Sequence, residues 1–330
     1  MRFLVVGLGS MGKRRVRCLQ ALGYNDIIGF DAREDRRHEA TQRYGIATVA
    51  SLEGLSLSGL SAMIVSVPPD RHADFAIKAV QAGLPVFIEA SVVLEDVYSI
   101  RSAMRAGSIV APSCTLRFHP IIKDITRIVQ EGRYGKVTNF SYHSGQYLPD
   151  WHPWEKVSDF YVSNRATGGG REIVPFELTW MVDTLGWPVE AKGCFRKTMD
   201  VGAEIEDSYA FVLSYADKVG TVIVDVAARY AVRNLVINLE KAQIQWKWDD
   251  ACFSLYEVET GRWIRFEQPE FSSASGYNKN IGEQMYIDEL ASFICSFTGG
   301  APFPNSIDDD IRVLEILKGI EDSDGGFKRS

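Results

Sequence analysis

Long apolar runs are missing from this 330-residue chain. None approaches the roughly 20 residues needed to cross a bilayer, so no membrane span is expected. Cysteine is sparse: Cys18, Cys114, Cys194, Cys252 and Cys295 are odd in number and scattered, which is neither a disulfide framework nor a zinc site, and no metal is expected. The first hydrophobic strand begins directly after Met1, with no charged n-region, apolar h-region or small-residue cleavage site ahead of it, so the expected location is the cytoplasm. Positive charge is not in excess either. With 43 Asp and Glu against 36 Lys and Arg, the formal net charge of -7 offers no general attraction for nucleic acid or an anionic membrane. Internal repeats, low-complexity tracts and linker-like Pro/Gly/Ser segments are also lacking. What is present is the composition of a globular protein, 46% hydrophobic and 24% charged, in a chain long enough for two domains that each bury a core.

Residues 2–6 (Arg-Phe-Leu-Val-Val) read as a buried parallel strand, followed by a glycine-rich turn and a helical run to about Leu22. The unit repeats: strand Asp26 to Phe30, helix Arg33 to Tyr44, strand Ala62 to Val67, helix Ala73 to Ala82, strand Pro85 to Ile88, with Ile109 to Pro112 expected as the sixth strand. Such alternation predicts a doubly wound parallel sheet with right-handed crossovers. From about Gly135 the pattern changes to β-rich stretches, Val137 to Tyr147, Tyr209 to Tyr215, Gly220 to Val226, Leu235 to Leu239 and Gln243 to Trp248, which predict an open, mainly antiparallel sheet. Helices are expected at about 174–185, 282–297 and 307–320, the last N-capped by Asn305 or Ser306 before Asp308-Asp309-Asp310 and a candidate to return onto the first domain. The expected division is residues 1–118 and 119–330.

Gly7-Leu8-Gly9-Ser10-Met11-Gly12 fits G-x-G-x-x-G between a strand and a helix, where glycines permit a tight turn and helix amides can meet a pyrophosphate. Asp31 ends the next strand, placed to accept hydrogen bonds from an adenosine ribose, and a carboxylate there favours NAD over NADP. Arg33, two residues on, is the group that can clamp a 2′-phosphate instead. Pro68 and Pro69 end another strand at the same carboxyl edge and shape a wall beside a dinucleotide; His72 is either part of that wall or simply a residue at a helix start. The cluster Lys13-Arg14-Arg15-x-Arg17 is read as helix decoration beside the phosphate site.

Taken with Val67-Pro68-Pro69-x-x-His72, Ala82-Gly83-x-Pro85-Val86-x-Ile88-Glu89, Leu116-Arg117-Phe118-His119-Pro120, Gly168-Gly169-Gly170 and Ser306-Ile307-x-Asp309, the chain resembles the glucose-fructose oxidoreductase / inositol dehydrogenase / rhizopine-catabolism (Gfo/Idh/MocA) family. The resemblance implies an α/β Rossmann domain followed by an α+β domain whose open sheet carries substrate on one face and often a subunit interface on the other. It adds Glu89 and Arg117 to the cofactor-binding set and implies a homodimer or homotetramer acting on a small carbohydrate-like molecule. Tyr147 to Trp154 looks like members acting on amino sugars and surface-polysaccharide precursors.

The departures are chemical. The family usually carries Glu-Lys-Pro after the fourth strand, with the lysine at the reacting carbinol; here the triplet is Glu89-Ala90-Ser91. Where related members present a histidine and an aspartate three residues apart, this chain has Phe176 and Thr179. Hydride transfer from a carbinol also requires the hydroxyl proton to leave, and a positioned acid or base typically contributes about 10²–10⁴-fold. Glu177 is the leading replacement, an acid expected to be desolvated among Phe176 and Trp180; Arg171, Glu172 and His152 are the others, with Pro175 read as first-turn helix chemistry. Arg171 can grip a substrate carboxylate or phosphate, or form an ion pair with Glu172 or Glu177. The expected function is an NAD(P)-dependent oxidoreductase on a sugar, amino sugar or nucleotide sugar with a rearranged proton-transfer set. The alternatives are a lyase, epimerase or hydrolase that keeps its NAD bound, and a catalytically altered or non-catalytic dinucleotide-binding protein.

Overall fold

The computed structural model describes residues 1–151, 153, 155–268 and 282–324. The chain forms two compact units, Met1–Thr115 with Gly282–Arg312, and Leu116–Ile281 with Val313–Ser330.

The first unit follows the alternating pattern: β1 (Arg2–Val6), α1 (Ser10–Ala21), β2 (Asp26–Phe30), α2 (Glu34–Tyr44), β3 (Ala47–Val49), β4 (Ala62–Val65), α3 (His72–Gln81), β5 (Val86–Ile88), α4 (Leu94–Ala103) and β6 (Val110–Pro112). The strands pair in parallel in the order β3-β2-β1-β4-β5-β6. Phe3 to Val6 and Ala62 to Val65 are wholly buried, as expected of central parallel strands covered on both faces. Strand order reverses at β1, so the carboxyl ends of β1 and β4 flank the switch point where doubly wound sheets bind ligands. Two elements are additions to the sequence reading. Strand β3 is three residues at the sheet edge, too short for any periodicity, and α4 buries only Val97 and Ile100, too thin a stripe to stand out.

The second unit contains α5 (Pro120–Glu131), β7 (Val137–Tyr147), α6 (Gly170–Leu185), β8 (Glu190–Arg196), β9 (Ser208–Ser214), β10 (Val219–Asp225), β11 (Ala227–Leu239), β12 (Ala242–Lys247), β13 (Cys252–Glu257) and β14 (Arg262–Glu267). The eight strands run β14-β13-β12-β11-β7-β10-β9-β8, and β7 with β10 is the parallel pair in an otherwise antiparallel sheet. Alternation sets the faces. Tyr142 and Ser144 reach Glu177 on α6, so Ser141 and His143 point the other way. On that opposite face a row of carboxamides crosses three strands: Gln245 donates to Gln243 at 2.8 Å, Gln243 to Asn238 at 2.7 Å, and Asn238 to Asn139 at 2.7 Å. Strands β8, β13 and β14 are further additions; β8 (EAKGCFR) is poor in β-branched residues and β14 (RWIRFE) interleaves charge with aromatics.

Two helices follow, α7 (Glu283–Phe297) and α8 (Ile307–Asp324). Helix α7 belongs to the first unit, which corrects the division at 118/119. The cause is a buried ionic network. Arg15 on α1 has no exposed surface and lies between Glu89 (2.7 and 2.8 Å) and Glu289 of α7 (2.8 Å), its guanidinium stacked 4.5 Å from the Phe87 ring. Glu289 also accepts from Ser113 Oγ, the Cys114 amide and Thr115 Oγ1 at 2.7–2.9 Å. Arg14 and Arg17 pair with Glu283 and Lys13 with Glu39. The basic cluster is thus a clasp for α7 and α2 rather than surface decoration. The start of α8 matches its expected cap, with Ser306 Oγ accepting from the Asp309 amide and Asp309 Oδ2 accepting from Ser306 Oγ at 2.7 Å, while Asn305 donates to the Pro112 carbonyl.

Replacing Arg15 with Met leaves two buried carboxylates without their shared cation. The expected cost is about 3–5 kcal/mol, read as a fall in the denaturant midpoint with an unchanged slope.

Candidate functional site

The turn between β1 and α1 is built for close approach. Gly7 sits at φ +91°, and a Cβ there would press on the Ser66 carbonyl. At Gly12 a methyl group would drive into the Gly7 carbonyl oxygen, so the first turn of α1 packs directly on the strand end. The N-cap is Gly9, no side chain caps the helix, and its first turn holds no acid. Amides of Ser10, Met11 and Gly12 at an uncapped, acid-free N-terminus fit the diphosphate of a dinucleotide.

Asp31 is buried at the end of β2, one oxygen accepting the Leu8 amide at 2.8 Å and the other the Arg33 amide at 2.9 Å. The carboxylate is therefore held against the glycine turn. Arg33 does not stand ready as a phosphate clamp: its side chain forks onto Asp35 at 2.6 and 3.1 Å. The cation beside Asp31 is instead Arg36, 3.7 Å from its carboxylate and against Gly9, a residue that sequence reasoning missed. Pro68 is exposed and Pro69 buried, opening a short 3₁₀ turn over Pro69–Arg71 at the end of β4. His72 takes the structural alternative. It is 2% exposed, burial lowers its pKa, and the neutral ring donates from Nε2 to the Val67 carbonyl at 3.0 Å, tying α3 to the strand end. Glu89 is likewise committed to Arg15 and to Ser66 Oγ, 3.0 Å away. Beyond Ala90, Ser91 carries a buried hydroxyl with no hydrogen-bond partner among the described residues.

In the second unit, α6 begins at Gly170, behind Gly169 at φ +67°, so Pro175 lies inside the helix rather than in its first turn. The early start puts Arg171 and Glu172 in the first turn. Arg171 is tied to Glu321 at 2.7 Å and to the Ala166 carbonyl, so its glutamate partner is neither Glu172 nor Glu177, the two expected. Arg117 donates to the Thr179 carbonyl at 2.9 Å and lies 3.8 Å from Asp183, on an open cleft of about 380 Å³ that Lys123 and Arg127 also line. His119 is buried between Trp246 and Trp248, and burial followed by the Arg233 charge pushes its pKa down to about 3. His152 and Trp154 lie outside the described residues.

The two glutamates of α6 sit in opposite environments. Glu177 is wholly buried and receives four side chains, Arg233 (3.0 Å), Tyr142 (2.7 Å), Ser144 (2.8 Å) and the Trp180 indole (3.0 Å). Every lone-pair direction is taken, and the charge is matched by Arg233; it is a carboxylate that anchors α6 to the sheet. Glu172 is the opposite case. Its Oε1 accepts the Tyr161 hydroxyl at 2.6 Å, its buried Oε2 has no partner among the described residues, and burial pushes the carboxyl up to about 7 against the lowering effect of that hydrogen bond. A carboxyl that titrates near neutrality is what acid–base chemistry uses.

These environments give separable outcomes. Glu177→Gln leaves Arg233 without its counter-charge and lowers stability by about 3 kcal/mol or more, seen in chemical denaturation. For Glu172 the folded carboxyl binds its proton more tightly than the unfolded one, so its contribution to stability is full below the ordinary carboxylate range and is lost as pH rises through about 7. Glu172→Gln removes that loss. Its advantage over the wild type should grow from pH 5 to pH 8, to as much as about 3 kcal/mol; a constant difference across this range contradicts the raised pKa.

Comparison with known proteins agrees with this geometry. Residues 1–106 match the family model described as oxidoreductase family, NAD-binding Rossmann fold. The scyllo-inositol 2-dehydrogenase (NAD(+)) of Bacillus subtilis (strain 168) is 27% identical over 143 residues, 41% of this chain and 42% of that protein, so the match spans less than half of the relative's length. Among solved structures, an oxidoreductase from Agrobacterium radiobacter in complex with NAD+, L-tartaric acid and magnesium superposes with a TM-score of 0.86 at 12% identity, covering 99% of this chain and 97% of the other. Levoglucosan dehydrogenase in complex with NADH and levoglucosan gives 0.84 at 16% identity, with the same coverage. At such identities the structures establish the fold alone, a parallel Rossmann sheet followed by a mainly antiparallel one. Residues 1–106 are thus similar to the NAD-binding Rossmann domain of the Gfo/Idh/MocA oxidoreductases.

Proposed function

We propose that the protein is an NAD-dependent dehydrogenase of a cyclic polyol, in the class of sugars, amino sugars and nucleotide sugars, with Glu172 as the terminal proton acceptor in place of the family's lysine and histidine. The observation that carries this reading is the Glu172 carboxyl, half-satisfied and titrating near 7, on the same helix as the fully bonded Glu177. Relatives that oxidise inositol and levoglucosan support the substrate class.

Gly7, Gly9 and Gly12 with the amides of Ser10 and Met11 hold the diphosphate, and Asp31 takes the adenosine ribose. The bound nicotinamide supplies a hydride acceptor. The chain's own residues do the rest: Pro68 and Pro69 wall the cofactor side, Arg15 neutralises Glu89 so that no unpaired carboxylate stands near the phosphates, and Glu172 takes up the hydroxyl proton. Preference for NAD follows from Asp31, whose fixed carboxylate repels a 2′-phosphate, while Arg33 is turned onto Asp35. The sheet face opposite α6 exposes Val212, Ile223 and Trp263 beside the carboxamide row, and a second copy of the chain is its fitting occupant, giving a homodimer or homotetramer. Dependence on the cellular nucleotide pool and five cysteines kept as thiols suit the cytoplasm.

Fluorescence titration is expected to show NADH binding at least about tenfold tighter than NADPH, the difference shrinking in Asp31→Ser. With NAD, inositols, levoglucosan or UDP-linked sugars should yield NADH, and Glu172→Gln should lower kcat by about 10²-fold or more. If neither nucleotide binds, the enzymatic reading fails; if NADH stays bound through purification with no net turnover, the lyase or epimerase alternative takes its place.

A further inference from the structure

Three arginines gather where β2 runs into α2: Arg33 at the N-cap, then Arg36 and Arg37 early in the helix. Two of them are committed. Arg33 forks onto Asp35 at 2.6 and 3.1 Å, and Arg37 Nη1 donates to the Asp31 and Ala32 carbonyls at 2.8 Å each, closing the end of the strand. Arg36 is placed differently. Its Nη1 stands 3.7 Å from Asp31 Oδ2, an ion pair longer than a hydrogen bond, and its side chain is 33% exposed where that of Asp31 is 8% exposed. The same guanidinium lies against Gly9, the N-cap of α1, where a Cβ would be 3.5 Å from Nη1 and 3.9 Å from Cζ. We infer that Arg36 is the residue that decides between NAD and NADP: it is the cation that meets a 2′-phosphate, and Asp31 holds that capacity in check. This rests on the reading above that Asp31 takes the adenosine ribose.

Each oxygen of Asp31 already accepts one amide, Leu8 at 2.8 Å and Arg33 at 2.9 Å, so the carboxylate is fixed and cannot swing aside for a second anion. A ribose with a free 2′-hydroxyl donates to it. A 2′-phosphate in the same place meets like charge unless a cation beside the carboxylate compensates. Arg36 is that cation. It has no hydrogen bond to Asp31 to give up, and its planar fork suits two oxygens of one phosphate. Arg33 must first leave Asp35 to do the same. Exposed pairs of that kind are worth little, so a variant that separates the two arginines is part of the test. Selection then comes from opposite charges on one corner, the carboxylate for a hydroxyl and the guanidinium for a phosphate.

The test is a set of dissociation constants, read from NADH fluorescence and from competition by NADPH, adenosine 2′,5′-bisphosphate and 5′-AMP, the last two differing only in the 2′-phosphate. Arg36→Gln is expected to weaken NADPH and the bisphosphate by about tenfold while NADH and 5′-AMP stay within about threefold. Added salt should shrink that difference. Asp31→Ser is expected to tighten NADPH, and the gain should vanish in the double variant Asp31→Ser/Arg36→Gln. Arg33→Gln should leave every constant within about threefold. Should Asp31→Ser fail to fold, Arg36→Gln in the otherwise unchanged chain decides. Nucleotide binding in which Arg36→Gln leaves NADPH unaffected, or in which Arg33→Gln carries the loss instead, overturns the assignment of Arg36 alone. Failure of NADH and NADPH alike to bind the wild-type protein overturns the reading on which it rests.

Discussion

At Gly12, in the first turn of α1, there is no room for a side chain. Gly12 lies on the Gly7 carbonyl, and this backbone contact brings the helix amides to the end of β1 and sets the line along which α1 crosses the sheet. The rest of the first unit is arranged around that line. Arg15 comes off α1 into the space between Glu89 at the end of β5 and Glu289 on α7, so the helix that opens on the glycine turn is also the helix that gathers the chain's distant return. Three buried charges in one cluster are costly unless each is bonded, and here Ser66, Ser113, Thr115 and the Cys114 amide complete the set.

A comparable division of labour governs the second unit. Two glutamates on one helix differ by what surrounds them rather than by what they are: Glu177 meets a full complement of donors, whereas Glu172 meets one phenol among the described residues. Low dielectric with few donors favours a proton on the carboxyl, and burial accordingly pushes that of Glu172 up.

The glycine turn and the strands around it were legible because their geometry is local. Glycines at fixed spacing, a helix directly after them and an acid closing the next strand are all set by short-range backbone geometry, and β1, α1 and β2 lie where the pattern puts them. What escaped was partner choice. Arg33 is occupied by Asp35, two residues on, while Arg36 reaches the Asp31 corner; nothing in the order of charges tells the two arginines apart. Five residues on a helix separate Glu172 from Glu177, about 140° of turn, and which of them faces the sheet depends on α6 starting at Gly170 and on Arg233, 56 positions downstream. The return of α7 to the first unit rests on contacts across some 175 positions, Glu289 to Cys114, which no local signal encodes.

The carboxamide row on the uncovered sheet face has a directional character. Each amide from Gln245 through Gln243 and Asn238 to Asn139 gives to the next, so the rotamer of one dictates the rotamers of all. Side chains of this kind ordinarily lose freedom when a surface becomes covered; here most of that freedom is already gone in the isolated chain. The row presents a rigid, uncharged polar strip with a built-in polarity, which a two-fold-related copy would meet running the opposite way, and any single substitution along it would be felt at both ends.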